Sequence, residues 1–450
     1  MENINYNNTK NIIGKRILAD GMDIIIDINK SHGSWLVDGR DGREYLDLFS
    51  MFASMPIGYN HPHLLKNKDK LLQSAINKPT NSDIYSLEMA SFVEIMGRIA
   101  QPDYLPHSFF IEGGGLAVEN ALKAAFDWKA RKNLKKGIKN KGKQIIHFRD
   151  CFHGRTGYTL SLTDSPDKRK TMFFPKFNWP RVLNPKISFP QDELNIEKVI
   201  ALEKESVSQI KDVISKNLDD IAAILIEPIQ GEGGDNHFRC EFFQNLREIA
   251  DENEILLIYD EVQTGVGITG KMWAHQHFNK SLCNCDCLDK SSTAPDIIAF
   301  GKKTQCCGIF ASKRIEEVKE NVFNVSSRLN STWGGSLIDM VRFTLYLEVI
   351  EEESLVEKAL KSGNHLLTKL LEIEENHNGL ISNVRGRGLF CAFDLPTTSE
   401  RDKLASLIVD NGAIVLGSGT RSIRFRPHLN IQPDEIDYGV RIIEAALKQL

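Results

Sequence analysis

Short apolar runs that alternate with helical segments constrain the fold of this chain more than any other feature. Five such runs lie at residues 109–111, 144–148, 222–227, 254–260 and 296–301. In the third and fourth runs the apolar residues are consecutive rather than alternating, which indicates strands buried on both faces, as in a mostly parallel sheet. The pattern predicts an α/β fold with helices on both faces of a sheet and functional residues at the carboxyl ends of its strands.

The pattern changes after a long amphipathic helix that we predict at residues 336–353. Glycine turns at residues 38–39 and 41–42 indicate a hairpin within residues 24–49, which we expect to join the C-terminal part of the chain. We therefore predict a large domain at residues 61–345 and a smaller α+β domain built from residues 1–60 and 346–450.

The composition of the chain limits the kinds of molecule that it is expected to bind. The chain has 450 residues, 56 Lys and Arg against 60 Asp and Glu, and a formal net charge of −4, which gives no basic field for nucleic acid. A basic run at residues 129–143 is interpreted as a solvated helix end. The apolar runs are far shorter than the roughly 20 residues that span a membrane. The polar N-terminus predicts a cytoplasmic protein, and we expect small-molecule substrates.

A buried strand at residues 256–260 ends in a carboxylate, Asp260. An ionised carboxylate in such a place needs a cationic partner, and one that fits is the protonated ring nitrogen of pyridoxal phosphate, which withdraws electrons better when its proton is held. The alternative is an Asp that caps the next turn.

Two further segments suit the same chemistry. Lys302 and Lys303 follow the strand at 296–301, where a desolvated amine of lowered pKa can form a Schiff base, although an exposed basic loop has the same sequence. Gly113, Gly114 and Gly115 separate a strand from a helix, so their backbone N–H groups can bind a phosphate; a flexible turn is the alternative.

Taken together, these segments resemble the aspartate-aminotransferase superfamily of pyridoxal phosphate enzymes (fold type I), and specifically the class III aminotransferases. The resemblance covers nearly the whole chain and rests on residues 58–62 (GYNHP), 152–156 (FHGRT), 226–232 (IEPIQGE), 260–265 (DEVQTG) and 331–335 (STWGG). It implies a large domain with a mostly parallel seven-stranded sheet and a homodimer with shared active sites.

Within the class, residues 112–121, 300–305 and 328–335 are similar to the enzymes that transfer the terminal amino group of lysine, with ornithine aminotransferases as the alternative. The resemblance implies a role for each matching residue around the cofactor. Lys302, rather than Lys303, carries the cofactor, and Asp260 holds its ring nitrogen. Gln263 is assigned to the phenolic oxygen and Phe152 to the ring face. Gly114 and Gly115 are assigned to the phosphate, and Thr332 to the phosphate bound by the partner subunit.

For the substrates, the resemblance assigns Arg155 to the α-carboxylate of L-lysine and Arg424 to the α-carboxylate of 2-oxoglutarate. Planar guanidinium groups suit both tasks because they bind carboxylates through two hydrogen bonds. Glu232 is expected to neutralise Arg424 while the cationic donor is bound, and Asn330 is a further substrate-binding candidate. The implied products are 2-aminoadipate 6-semialdehyde, which cyclises, and L-glutamate.

Two departures and two alternatives remain. Cys306 and Cys307 replace a Gly-Gly pair that many class III enzymes carry, and an apparent insertion contains Cys283, Cys285 and Cys287. The spacing of these three does not match a structural zinc site, so no metal is expected. Ornithine, 4-aminobutyrate or another ω-amine is an alternative donor, and a catalytically silent homologue is an alternative to an enzyme.

Overall fold

The computed structural model describes residues 3–278 and 292–450; Cys283, Cys285 and Cys287 lie outside these ranges. The strands are β1 (Trp35–Val37), β2 (Glu44–Asp47), β3 (His107–Ile111), β4 (Gln144–Phe148), β5 (Arg181–Val182), β6 (Ile221–Ile226), β7 (Leu256–Asp260), β8 (Ile297–Phe300), β9 (Cys307–Ala311), β10 (Ser382–Arg387), β11 (Phe390–Asp394), β12 (Ala413–Ile414), β13 (Leu416–Ser418) and β14 (Ser422–Phe425).

The helical segments precede the first strand, lie between strands or follow the last one. They are α1 (Thr9–Gly14), α2 (Ser50–Ala53), α3 (Pro62–Lys66), α4 (Lys68–Ile76), α5 (Leu87–Ile99), α6 (Gly114–Lys135), α7 (Gly157–Leu162), α8 (Glu193–Lys216), α9 (Cys240–Glu252), α10 (Leu337–Glu352), α11 (Leu355–Asn376), α12 (Thr398–Asp410) and α13 (Pro433–Leu447). The predicted helix at 336–353 is therefore confirmed as α10.

Seven strands form the central sheet, in the order β3-β9-β8-β7-β6-β4-β5. Strand β9 runs antiparallel to β3 and β8, whereas β8, β7, β6, β4 and β5 pair in parallel. The prediction of a mostly parallel sheet is confirmed. All six residues of β6 and all five of β7 are buried, which accounts for their unbroken apolar sequences.

Each face of this sheet packs against a different set of helices. Leu257 and Tyr259 lie in one hydrophobic core with Phe242 and Phe243 of α9, whereas Leu256 and Ile258 lie in another with apolar residues of α6. This alternation follows because successive side chains of a strand point to opposite faces. Two cores thus hold β7 rigidly and determine where its last residue, Asp260, lies.

Strands from both ends of the chain meet in one small sheet. The β1–β2 hairpin is antiparallel, and β12 pairs in parallel with β2 through Ala413 and Leu46. A second small sheet has the order β10-β11-β14-β13. The expectation that the N-terminal hairpin joins the C-terminal part of the chain is confirmed; the division at residues 60 and 345 stays a prediction.

One residue of the basic run contradicts its interpretation as solvated. Lys129 is only 2% exposed, and its Nζ donates to the carbonyl oxygens of Asn253 at 3.4 Å and Glu254 at 2.9 Å. Burial lowers the pKa of Lys129. Its position in α6, in line with buried Trp128 and Ala125, brings its stem into the core while the amine reaches the chain before β7.

Within the described ranges, no helix has the length and apolarity needed to cross a membrane.

Candidate active site

A cavity of about 290 Å³ lies where β7 and β8 end and α6 begins. Twelve residues from six separate segments of the chain line it: Phe52, Gly114, Gly115, Phe152, His153, Gly154, Glu227, Glu232, Asp260, Val262, Gln263 and Lys302. This is the edge of the sheet at which the alternating pattern predicts chemistry. The structure brings together eight of the predicted site residues here or at its border.

Asp260 is the buried anion of the cavity. Its Oδ2 lies 2.8 Å from Nδ1 of His153, and its Oδ1 accepts a hydrogen bond from the backbone N–H of Val262 at 3.1 Å. His153 is wholly buried, and its Nε2 has no hydrogen-bond partner within the described ranges. Sequence reasoning missed the contact with Asp260, although His153 stands in the quoted motif at 152–156.

Sequence reasoning also missed Glu227, a lining residue that holds the backbone of the cavity wall in place. Its two carboxylate oxygens accept from the backbone N–H groups of Phe152 at 2.9 Å and Gly231 at 3.0 Å. Burial, reinforced by the negative charge of Asp260, raises the pKa of Glu227 well above its ordinary value. The motif at 226–232 contained this residue, and its position at the end of buried β6 was the available signal.

The two adjacent lysines point to different places. Lys302 lines the cavity, and its Nζ donates to the carbonyl oxygen of Phe52 at 3.1 Å. Lys303 is buried outside the cavity, where its Nζ donates to the carbonyl oxygens of Gln263 at 2.7 Å and Ala53 at 3.4 Å. Burial, with the positive charge of Arg424, lowers the pKa of Lys302 to about 8. Only the first lysine is therefore placed to react within the cavity.

The glycine turn supplies a site for an anion. Gly113 has φ +95°, and α6 begins at Gly114. A Cβ on Gly114 would lie 3.0 Å from Cγ1 of Val262, so a side chain there would crowd the cavity wall. The free N–H groups at the start of this 22-residue helix favour a phosphate.

An ion-pair network closes the opposite side of the cavity. Arg424, in β14, donates through Nη2 to Oε2 of Glu232 at 2.9 Å, and Lys170 donates to Oε1 of the same carboxylate at 2.7 Å. Burial raises the pKa of Glu232, but the two cations outweigh burial and hold it below the ordinary value. The other nitrogen of Arg424, Nη1, is buried without a hydrogen-bond partner in the described part of the chain.

Besides Arg424, which lies at the border of the cavity, three predicted residues lie outside its lining. Arg155 is exposed beside Gly154, and within residues 3–278 and 292–450 its guanidinium has no hydrogen bond or ion pair. Asn330 and Thr332 are also exposed, in the loop that precedes α10. Cys306 and Cys307 are both buried, and Sγ of Cys307 would lie 3.0 Å from a Cβ on Gly301.

A family profile described as Aminotransferase class-III matches residues 17–447. The chain belongs to the class III aminotransferases. An L-lysine-epsilon aminotransferase of Mycobacterium tuberculosis is 48% identical over 97% of this class III chain and 94% of its own. The 4-aminobutyrate aminotransferase of Homo sapiens is 32% identical over 91% of this chain and 82% of its own.

Solved structures agree with this membership. The lysine aminotransferase of M. tuberculosis superposes with a TM-score of 0.94 at 48% identity, covering 99% of this chain and all of that one (100%). This class III aminotransferase is therefore an enzyme whose cofactor is pyridoxal phosphate. The residues present fit that cofactor: Asp260 is a buried anion, the start of α6 is a cradle that a side chain would fill, and Lys302 is a cavity amine of lowered pKa.

Proposed function

We propose that this enzyme moves the ε-amino group of L-lysine to 2-oxoglutarate, giving 2-aminoadipate 6-semialdehyde and L-glutamate. The observation that carries the proposal is the Glu232–Arg424 ion pair beside Lys302. An unpaired arginine there would repel a cationic amine and attract an α-carboxylate, so the pair favours a donor that presents its terminal amine. Lysine is the donor because the 48% identical relative carries it in its name.

Each cofactor contact has one task in the proposal. When bound, pyridoxal phosphate supplies an electron sink for the carbon that loses a proton. Asp260, oriented by His153, stabilises positive charge on the ring nitrogen, and Gln263 donates to the phenolic oxygen. Phe152 packs on the ring face, and the N–H groups of Gly114 and Gly115 hold the phosphate.

Lys302 moves the proton in this scheme. Its amine would hold the cofactor until a substrate binds and would then take the proton from Cε of lysine. The lowered pKa supports this task because an amine of pKa about 8 is partly neutral near neutral pH and can therefore accept a proton. A lysine of ordinary pKa would be almost wholly protonated.

Two arginines separate the two substrates. We assign the exposed Arg155 to the α-carboxylate of L-lysine, which lies far from the reacting carbon. Arg424 takes the α-carboxylate of 2-oxoglutarate after Glu232 moves away, and its unpartnered Nη1 supports this assignment because a carboxylate would satisfy it. Asn330 remains a proposed substrate contact.

We propose that a homodimer completes the site. Thr332 is exposed and outside the cavity of its own chain, which suits a contact with the phosphate bound by the partner subunit. Support also comes from large exposed apolar side chains between α3 and α5: Leu65, Leu72, Ile76, Ile84, Tyr85 and Leu87. A cytoplasmic location and the two-domain division at residues 60 and 345 belong to the same proposal.

The test follows the visible absorbance of the holoenzyme while L-lysine, L-ornithine and 4-aminobutyrate are added separately. We expect L-lysine to bleach the band fastest and 2-oxoglutarate to restore it. If L-ornithine or 4-aminobutyrate bleached the band faster than L-lysine, that compound would be the amino donor instead. If none of the three amines bleaches the band, the proposed transamination is refuted and the catalytically silent homologue is the alternative.

A further inference from the structure

Glu232 is held by two cations that come from distant parts of the chain. Arg424 lies in β14, whereas Lys170 ends the short helical turn Lys168–Lys170, and each contacts a different oxygen of the carboxylate. The ammonium of Lys170 also lies 5.9 Å from the ring centroid of Phe152. Lys170 therefore contacts the carboxylate that covers Arg424 and lies near the aromatic ring on the cavity wall.

The acceptor half of the proposed reaction requires Glu232 to leave Arg424. The side chain of Glu232 is 22% exposed, so a carboxylate that lost every partner there would remain largely desolvated. A cavity of about 470 Å³ lies next to it, and Lys170 and Glu232 line it together with Arg169, Arg401 and the turn at 417–420. Lys170 is 31% exposed, and its flexible stem can follow the carboxylate into this space.

Lys170 favours the displaced position of Glu232 because its contribution differs between the two positions. While Glu232 pairs with Arg424, the carboxylate is already neutralised, and Lys170 adds a second positive charge near the guanidinium. After displacement, Lys170 can keep its hydrogen bond to Oε1 of the carboxylate, whereas Arg169 and Arg401, which line the same cavity, already pair with Asp167 and Asp402. Because the interaction with Lys170 is stronger when Glu232 is displaced, it raises the fraction of molecules in which Glu232 is displaced.

We infer that Lys170 is a positioning residue that anchors Glu232 away from Arg424 and so opens Arg424 to the carboxylate of the amino acceptor. The inference rests on the proposed assignment of Arg424 to 2-oxoglutarate. Lys170 touches neither substrate; it acts through Glu232.

The test measures binding of glutarate, a dicarboxylate with no oxo group to accept an amine, to the holoenzyme by calorimetry. For Lys170→Met we expect the dissociation constant of glutarate to rise about threefold to tenfold, the range for loss of a partly buried charged hydrogen bond. Lys170→Arg should restore the wild-type value. Lys168→Met is the matched control, because Lys168 is 70% exposed and pairs with Asp164 instead.

Steady-state kinetics give the second readout. In Lys170→Met, KM for 2-oxoglutarate should rise by a similar factor while KM for L-lysine stays within about twofold. Unchanged glutarate affinity in Lys170→Met, or an equal rise of both KM values, would overturn the inference, as would wild-type enzyme that binds no glutarate. Failure of the proposed function is seen separately, as wild-type holoenzyme that L-lysine does not bleach.

Discussion

Lys302 should react with its cofactor as an amine of pKa about 8. Burial and the guanidinium of Arg424 lower this pKa from the ordinary lysine value of about 10.4. About a tenth of such amines are neutral at pH 7 and about nine tenths at pH 9, so the rate of covalent attachment should rise about tenfold and then level off. An ordinary lysine would give a rise of about a hundredfold over the same interval without levelling off.

The assay mixes cofactor-free protein with excess pyridoxal phosphate between pH 6.5 and 9.5 and follows the visible absorbance of the attached cofactor by stopped flow. Lys302→Met, in which Lys303 remains, should give no covalent band. Arg424→Met should move the midpoint to higher pH because it removes a positive charge near the amine. A rate that climbs through pH 9 without a plateau would refute the argument that burial prepares Lys302 for reaction.

Three further predictions test the surroundings of Lys302. His153→Ala removes the 2.8 Å contact that orients Asp260 and should weaken cofactor binding about tenfold in a fluorescence titration, whereas an equal affinity would contradict that task. Phe243→Ala, behind β7, should lower the free energy of unfolding in urea by about 3–5 kcal/mol, while Phe173→Ala at a 93% exposed side chain should change it little. Lys303→Met leaves the carbonyl oxygens of Ala53 and Gln263 without the Lys303 donor and should speed amide hydrogen exchange at residues 53–54 about tenfold. Lys313→Met, at an exposed lysine, should leave this exchange rate unchanged.

The framework of the site could be predicted because it depends on regular elements. Asp260 and Lys302 follow apolar runs whose unbroken character indicated buried parallel strands, and residues at the carboxyl ends of such strands meet at one edge of the sheet. The position of the glycines before α6 could be predicted in the same way, because a strand-to-helix turn has few possible geometries. In each case a local pattern determined a position in space.

Contacts between loops could not be predicted in this way. Lys170 and Glu232 are 62 positions apart, and neither lies in a periodic segment that would indicate their contact. His153 stood in a recognised motif, but its contact with Asp260 depends on how the loop after β4 crosses the end of β7. The burial of Lys129 could not be predicted for the same reason, because its acceptors are carbonyl oxygens of the distant loop that follows α9.

The turn at α2 gave no sequence signal at all. Ser50, Met51, Phe52 and Ala53 have φ between +42° and +59°, a left-handed conformation that costs a non-glycine residue about 1 kcal/mol or more. Four such residues in succession persist only where the surroundings hold them. Asp47 provides one restraint, because its Oδ1 accepts from the backbone N–H groups of Phe49 at 2.9 Å and Ser50 at 2.7 Å.

The other restraints of this turn come from the reactive lysine and its neighbours. The carbonyl oxygens of Phe52, Ala53 and Ser54 accept hydrogen bonds from the side chains of Lys302, Lys303 and Gln305. In this left-handed turn the three successive carbonyls reach the three side chains, and these hydrogen bonds offset its strain. The N-terminal segment thereby reaches the active site, and the orientation of the Lys302 amine depends on residues about 250 positions away.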